Sequence, residues 1–384
     1  MQDTINRVET LAACATDPAR RECFIPTRCV QNHAALLMPL AGGDLGCVWF
    51  GGTQEGVPDI SVRFSRLAPG VATWSAPETL SDDPTRSEQN PLLFNAPNGR
   101  LWLLWTAQHA GNQDTAIIRR RISRDGGRSW GEIDTLFPQK GTFIRQPITV
   151  LANGDWLLPI WRCTKPPAGA WTGDLDTSAV MVSSDAGTSW TEHPVPASTG
   201  CVHMNIIDLG EQGLVAFYRS RWADHVHRSH SSNGRDWSAP EPTSLPNNNS
   251  SIQAIRLADG RLAMVFNDSS AADATGRRLG LYDDLGDGPA EAPSAAFWGA
   301  PRAPMTLALS ADGGLTWPWR RNLEVGDGYC MTNNSKDRLN REFSYPSLVQ
   351  TADGVLHIAY TYWRQAIKYV AVRPEWAMQS EQTP

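Results

Sequence analysis

The sequence predicts an all-β chain folded as a six-bladed β-propeller with four-stranded antiparallel blades, and three observations carry that expectation. A unit of apolar strand, Gly-containing turn and second apolar strand recurs six times along the 384 residues. A second turn signature, built from Ser, Asp, Gly and Trp, recurs between those units. The composition is rich in turn formers, with 32 Gly and 27 Pro, and unusually rich in Trp, with 16.

The six units are HAALLMPLAGGDLGCVWF (33–50), NPLLFNAPNGRLWLLW (90–105), QPITVLANGDWLLPIW (146–161), NIIDLGEQGLVAFYR (205–219), SSIQAIRLADGRLAMVFN (250–267) and YPSLVQTADGVLHIAYT (345–361). β-Branched, aromatic and Leu-rich runs flank a short Gly turn in each, which is the pattern of a β-hairpin. The second signature reads SRDGGRSW (123–130), SSDAGTSW (183–190), a shortened SSNGRDW (231–237) and SADGGLTW (310–317), with SRLAPGVATW (65–74) as a degenerate first copy and none after the last hairpin. A carboxylate that accepts turn N–H groups, a Gly for the tight path and a Trp that packs the turn down make this a structural device. Asp125, Asp185 and Asp312 are therefore expected to be turn residues, not catalysts.

Two hairpins per unit give a four-stranded blade, and six blades close around an axis. Two separate β-sandwiches would not explain a repeat that runs evenly through the middle of the chain. The stretch 268–304, rich in Ala, Gly, Pro and Asp and without strand alternation, reads as an insertion in blade five of a single propeller domain spanning 1–384.

A net charge of −6 gives no electrostatic reason to expect nucleic acid or an anionic membrane as partner, yet leaves room for a local basic pocket. The seven cysteines are scattered without CxxC spacing, which predicts free thiols and no zinc site, and no cofactor is expected. The first residues, MQDTINRVETLAAC, do not read as a signal peptide, so the expected location is cytoplasmic. Oligomeric state is left open.

Propeller geometry turns position into location. If the Gly turns lie at one end of the blades, the starts of first strands, ends of second strands and starts of third strands share the other. The first-strand starts carry Asn32 and His33, Gln89 and Asn90, Arg145 and Gln146, His203 and Asn205, Asn248 and Asn249, and Ser344 and Tyr345. The remaining ends add Glu55, Asp59, Arg162, Arg219, Arg221, Asn267, Asp268 and Arg364, with Arg302 before the third strand of blade five. Guanidiniums hold a carboxylate bidentately and amides bind hydroxyls, so this mixture suits an acidic mono- or oligosaccharide. For Arg221 and Arg364 a solvated rim position is an equal alternative.

The turn signature is the Asp box, and with it the chain resembles the sialidase superfamily over nearly its whole length. The segment FSYPSLVQ (343–350) is similar to the family's nucleophile segment, which points to Tyr345. VWFGGTQEGVPDISV (48–62) resembles the loop of the acid/base Asp, which points to Asp59 with Glu55 beside it, and FYRSR (217–221) resembles the second Arg position, at Arg219. Arg302 stands for the third. The first Arg of the family is replaced by Asn32 and His33, and its Glu partner of the Tyr by His203 or Asn205. The resemblance implies an exo-acting glycoside hydrolase with Tyr345, Asp59, His203 and His33 as catalytic groups. Arg219, Arg302, Arg145, Arg162, Glu55, Asn32, Asn90, Gln146, Asn205, Asn249 and Arg364 would bind substrate. A lyase that eliminates across a uronate, and a carbohydrate-binding propeller without catalysis, are the alternatives.

Overall fold

The computed structural model describes residues 5–278, 280, 281 and 294–379. Every one of the six sequence units becomes the inner pair of strands of a separate antiparallel sheet, because each places two apolar runs either side of a short turn. Blade one is Gln31–Pro39, Leu45–Gly52, Ser61–Leu67 and Glu78–Thr79, and blade two is Arg86–Asn95, Leu101–His109, Ile117–Ser123 and Asp134–Phe137. Blade three follows with Thr142–Ile144, Thr149–Val150, Trp156–Arg162, Thr177–Ser183 and Thr191–Pro194, and blade four with Cys201–Asp208, Leu214–Ser220, His225–Ser231 and Glu241–Pro246. Gln253–Arg256, Leu262–Asn267, Met305–Ser310 and Trp319–Glu324 form blade five.

Blade six has only Phe343–Gln350, Leu356–Tyr362 and Ala366–Val372 from the end of the chain, and its fourth strand is Arg21–Ile25 from the beginning. Cys23 and Ile25 of that strand pack with Ile367 and Tyr369 in one apolar cluster, so the two ends of the chain close the ring together. This explains why no turn signature follows the last hairpin.

The turn signatures connect third and fourth strands. In each full copy one carboxylate oxygen accepts two successive backbone N–H groups: Arg128 and Ser129 on Asp125 at 3.0 and 2.8 Å, Thr188 and Ser189 on Asp185, Leu315 and Thr316 on Asp312. The Trp that ends each signature packs across to the preceding blade, Trp130 edge-on to Phe64 and Trp317 edge-on to Phe217. Gly314, at φ 84°, lies so close to the Phe217 ring that a Cβ there would collide with it. The segment 268–304 does join the second and third strands of blade five; residues 279 and 282–293 of it lie outside the described residues. All seven cysteines are unpaired thiols.

Candidate functional site

One irregularity of the inner strands shapes the end of the propeller opposite the Asp boxes. In blades one, two, four and six the ladder slips by one residue, between His33 and Leu36, Gln89 and Leu92, Val202 and Asn205, and Ser344 and Ser347. At or beside each slip stands a residue in the left-handed region: Ala34, Asn90, His203 and Tyr345 at φ 60°, 48°, 55° and 52°, with Asn249 at 58° just before the inner strand of blade five. Asn adopts this backbone readily; for His and Tyr it stores on the order of 1 kcal/mol or more each, which a fold retains where side-chain direction matters. In blade three the inner strand is interrupted between Ile144 and Thr149 instead.

The bulges gather side chains around Tyr345. Its hydroxyl accepts a hydrogen bond from Arg219 Nη1 at 2.5 Å, and the guanidiniums of Arg145, Arg219 and Arg302 lie 5.4, 5.5 and 5.8 Å from its ring centre. His33 lies against the ring at 4.2 Å between centres, and His203 meets it edge-on at 5.5 Å. The same Arg219 Nη1 approaches His203 Nε2 at 3.3 Å, and Arg219 Nε is fixed by Asn249 Oδ1 at 2.8 Å. Since a guanidinium only donates, His203 Nε2 is the acceptor, and its proton sits on Nδ1, directed at Ser251 Oγ 3.0 Å away. Trp161 backs the His203 ring at 4.3 Å.

Four arginines of this cluster are buried, and among the described residues only two have a carboxylate partner. Glu342 Oε1 accepts from Arg302 Nη1 at 3.2 Å, Arg364 Nε at 3.0 Å and Ser344 Oγ at 2.7 Å, and Glu55 accepts from Arg364 Nη1 at 2.5 Å. Arg145 and Arg219 have none, and burial pushes them down to about 10 and about 9. For Arg302 and Arg364 burial acts in the same direction, but Glu342, and for Arg364 also Glu55, more than reverses it. Burial opposes the charge of Glu342 in turn, and Arg364 and Arg302 outweigh it, so its carboxyl stays below the usual range. Burial first, then the surrounding arginines, hold both His33 and His203 well below the usual imidazole range, so both are neutral. Positive charge that no carboxylate among the described residues compensates is thus concentrated beside the Tyr345 oxygen.

The expected site residues divide into two groups. Tyr345, His33, His203, Arg219, Arg302, Arg364, Glu55 and Asn249 belong to this connected cluster, as does Arg145, whose guanidinium flanks the Tyr345 ring and is also bonded to inner-strand carbonyls. Asn90 holds the equivalent bulge position in blade two, with its Oδ1 buried and unpartnered. Asp59 lies exposed in the loop after the second strand of blade one, where it accepts from Thr53 N at 3.1 Å; Val57 and Ile60 of that loop pack with Tyr345.

In the second group the fold uses these side chains to hold itself together. Asn32 accepts from Thr27 and Trp49 and donates to the Cys29 and Gln365 carbonyls, locking blade one to blade six. Arg145 crosses the axis to the carbonyls of Ala34, Ala35, Tyr345 and Pro346. Gln146 donates to Ile252 O at 2.6 Å and Asn205 accepts Ala254 N at 2.5 Å, both bridging to blade five. Arg162 faces the outer strand of its own blade, paired with Glu192.

Two features escaped the sequence reading. Glu342 lies outside the strand, in the run REFSY, and its only signal was an acid three residues before Tyr345. The other is a clamp on Arg221: Asp176 accepts from its Nε and Nη2 at 3.0 and 2.7 Å, and Trp171 and Trp298 lie at 5.3 and 5.2 Å from its guanidinium. Arg221 is accordingly buried, not a rim charge. Phe297, from the insertion, donates its N–H to Arg221 O and accepts from Asn249 Nδ2, so this segment lies directly over the Arg219 side of the site. Among the described residues no group of three or more His, Cys, Asp or Glu comes together that would hold a metal.

Six antiparallel blades, Asp-box turns and a bulged ring of polar residues opposite them make a propeller of the fold that sialidases share. Residues 43–358 match the family model described as a BNR repeat-like domain, and the chain belongs to that family. No curated protein sequence matches it. Among solved structures it is similar to a Hadza microbial sialidase, with a TM-score of 0.65 and 16% identity over 89% of this chain, which spans 66% of that protein's length. It is similar also to a Dyadobacter fermentans protein of unknown function, with a TM-score of 0.67 and 15% identity over 92% of this chain and 99% of the other. The intramolecular trans-sialidase from Ruminococcus gnavus aligns with a TM-score of 0.65 and 12% identity over 99% of both chains. At these identities the likeness is one of fold.

Proposed function

We propose that the protein is a carbohydrate-active enzyme that acts on an acidic sugar, as an exo-acting glycoside hydrolase with Tyr345 as nucleophile. The observation that carries this reading is the hydrogen bond from Arg219 to the Tyr345 hydroxyl, made where two buried guanidiniums have no carboxylate partner among the described residues. In a buried site such preorganised positive charge stabilises negative charge as it develops on the phenol oxygen. His203, edge-on to the Tyr345 ring, would take the phenol proton on Nε2 once the substrate carboxylate draws Arg219 away from that nitrogen. Tyr345 would then attack the anomeric carbon while Asp59, at the exposed edge, protonates the leaving oxygen, as in glycosidases that use a Tyr nucleophile. Arg219 and Arg302 would receive the substrate carboxylate. The sialidases and trans-sialidases among the structural neighbours support an acidic sugar as the ligand class.

A second reading is favoured by one observation: His33 is neutral, and its Nε2 is buried without a partner. A free imidazole nitrogen beside Tyr345 is also what a β-eliminating lyase needs to remove a proton next to a uronate carboxylate, with Tyr345 protonating the leaving oxygen.

Incubation with sialosides and uronate-containing oligosaccharides separates the two. Release of a reducing end without an ultraviolet-absorbing unsaturated product supports hydrolysis, and appearance of that absorbance supports elimination. Tyr345→Phe is expected to abolish either, and a fully active variant would overturn the assignment of the site.

A further inference from the structure

The ring around Tyr345 is polarised. Blades three, four and five contribute Arg145, Arg219 and Arg302. Blades six and one contribute Glu342 and His33, with Asn90 at the equivalent bulge of blade two, and Arg364 on that side is paired with Glu342 and Glu55.

On the second side, Glu342, His33 and Asn90 each keep a buried atom without a hydrogen-bond partner among the described residues. Glu342 accepts all three of its hydrogen bonds through Oε1, while Oε2 is buried and unpartnered. His33 has Nδ1 2.9 Å from Thr361 Oγ1 and 4.0 Å from Glu342 Oε1; with the proton on Nδ1, the buried Nε2, which has no partner among the described residues, carries the lone pair. Asn90 Oδ1 is the third. Gln31, two residues before His33 and on the same face of the strand, has both ends of its amide unpartnered as well. Orphaned amide oxygens occur in blade five too, on Asn248 and Asn267, but the Nδ2 of each is tied to neighbouring backbone carbonyls. A buried polar atom without a partner is destabilising, so several in one sector point to a ligand that supplies donors.

We propose that the sector built by blades six, one and two reads hydroxyl or N–H donors of the ligand through Glu342, His33 and Asn90, while blades four and five hold its negative end. The proposal rests on the acidic-sugar reading for the negative end only. It makes Glu342 and Asn90 specificity determinants: the favoured ligand is an acidic sugar with adjacent donors on the edge opposite its carboxylate.

Calorimetric titration of the full chain tests it, with N-acetylneuraminate, glucuronate and galacturonate, singly deoxygenated versions of each, and neutral glucose and galactose. Asn90→Gly is the clean variant, because Gly accepts the φ of 48° without strain while losing the acceptor. It is expected to weaken binding about fivefold to tenfold. The sugar lacking the hydroxyl that Asn90 reads should lose as much on the wild type and nothing further on the variant. Glu342→Gln, which keeps an oxygen for Arg302 and Arg364, should show the same coupling with a different hydroxyl. Wild-type affinity in both variants, or uniform losses for all deoxygenated sugars, would overturn the proposal, as would a wild type that binds no sugar. Binding of neutral sugars alone, dependent on Asn90 and Glu342, would retain donor recognition and remove the acidic-sugar reading.

Discussion

Arg219 of blade four and Tyr345 of blade six meet across the propeller axis, guanidinium to hydroxyl, at 2.5 Å. Neither reaches the other by local geometry, since 126 residues separate them in sequence. Arg219→Lys keeps the charge but loses the planar fork that engages Asn249, His203 and Tyr345 together. It is expected to lower turnover of the substrate by at least a hundredfold while leaving the fold intact, measured as kcat beside a far-ultraviolet circular dichroism spectrum.

Arg145 is a different kind of arginine. Its guanidinium is surrounded by four carbonyl oxygens, so Arg145→Met would leave buried acceptors unpaired along two inner strands. A loss of about 3 kcal/mol or more is expected in urea denaturation.

The two neutral histidines set an acid limit on stability. Their folded pKa values lie below the unfolded value of about 6.5, so at lower pH the unfolded chain binds more protons than the native one. Their contribution is therefore fully present above that pH and is lost progressively as pH falls below it. His203→Gln should flatten the fall of Tm between pH 6.5 and the lower end of the native range, and an unchanged slope would argue against a buried neutral imidazole.

Asp312 contributes to the turn, not to chemistry. Its oxygens accept Leu315 and Thr316 N–H groups at the end remote from Tyr345. Asp312→Ala should lower Tm and leave sugar affinity unchanged, compared by thermal melts and calorimetry on one preparation.

Ring closure depends on the first strand. Removing residues 1–25 would uncover Ile367 and Tyr369 and leave the edge of Ala366–Val372 unpaired. Loss of the cooperative thermal transition is expected, and a truncated chain that melts as the full one does would show that closure is dispensable.

Much of the architecture was legible in sequence because it is written in local, repeated terms. Alternating apolar runs either side of turns specify hairpins wherever they occur, and the Ser-x-Asp-x-Gly-x-x-Trp signature closes its turn with its own neighbouring N–H groups. The fourth strand of blade six was not legible, since Arg21–Ile25 finds its partner only after the ring has formed. The site was legible by class of position and less so by role. Asn32, Gln146 and Asn205 stand where binding residues stand, and the same amides that suit a sugar equally suit the carbonyls and N–H groups of the next blade. Glu342 was missed because nothing in its own segment reveals that two arginines from elsewhere converge on it.

The sequence by itself determined the blades, their turns and the end of the propeller at which polar residues collect, because those follow from short-range periodicity and hydrogen bonding. Only the tertiary structure decided which of those polar residues are consumed by the fold, which arginines have carboxylates and which do not. That outcome depends on contacts between blades, where burial and charge compensation are set by residues more than a hundred positions apart.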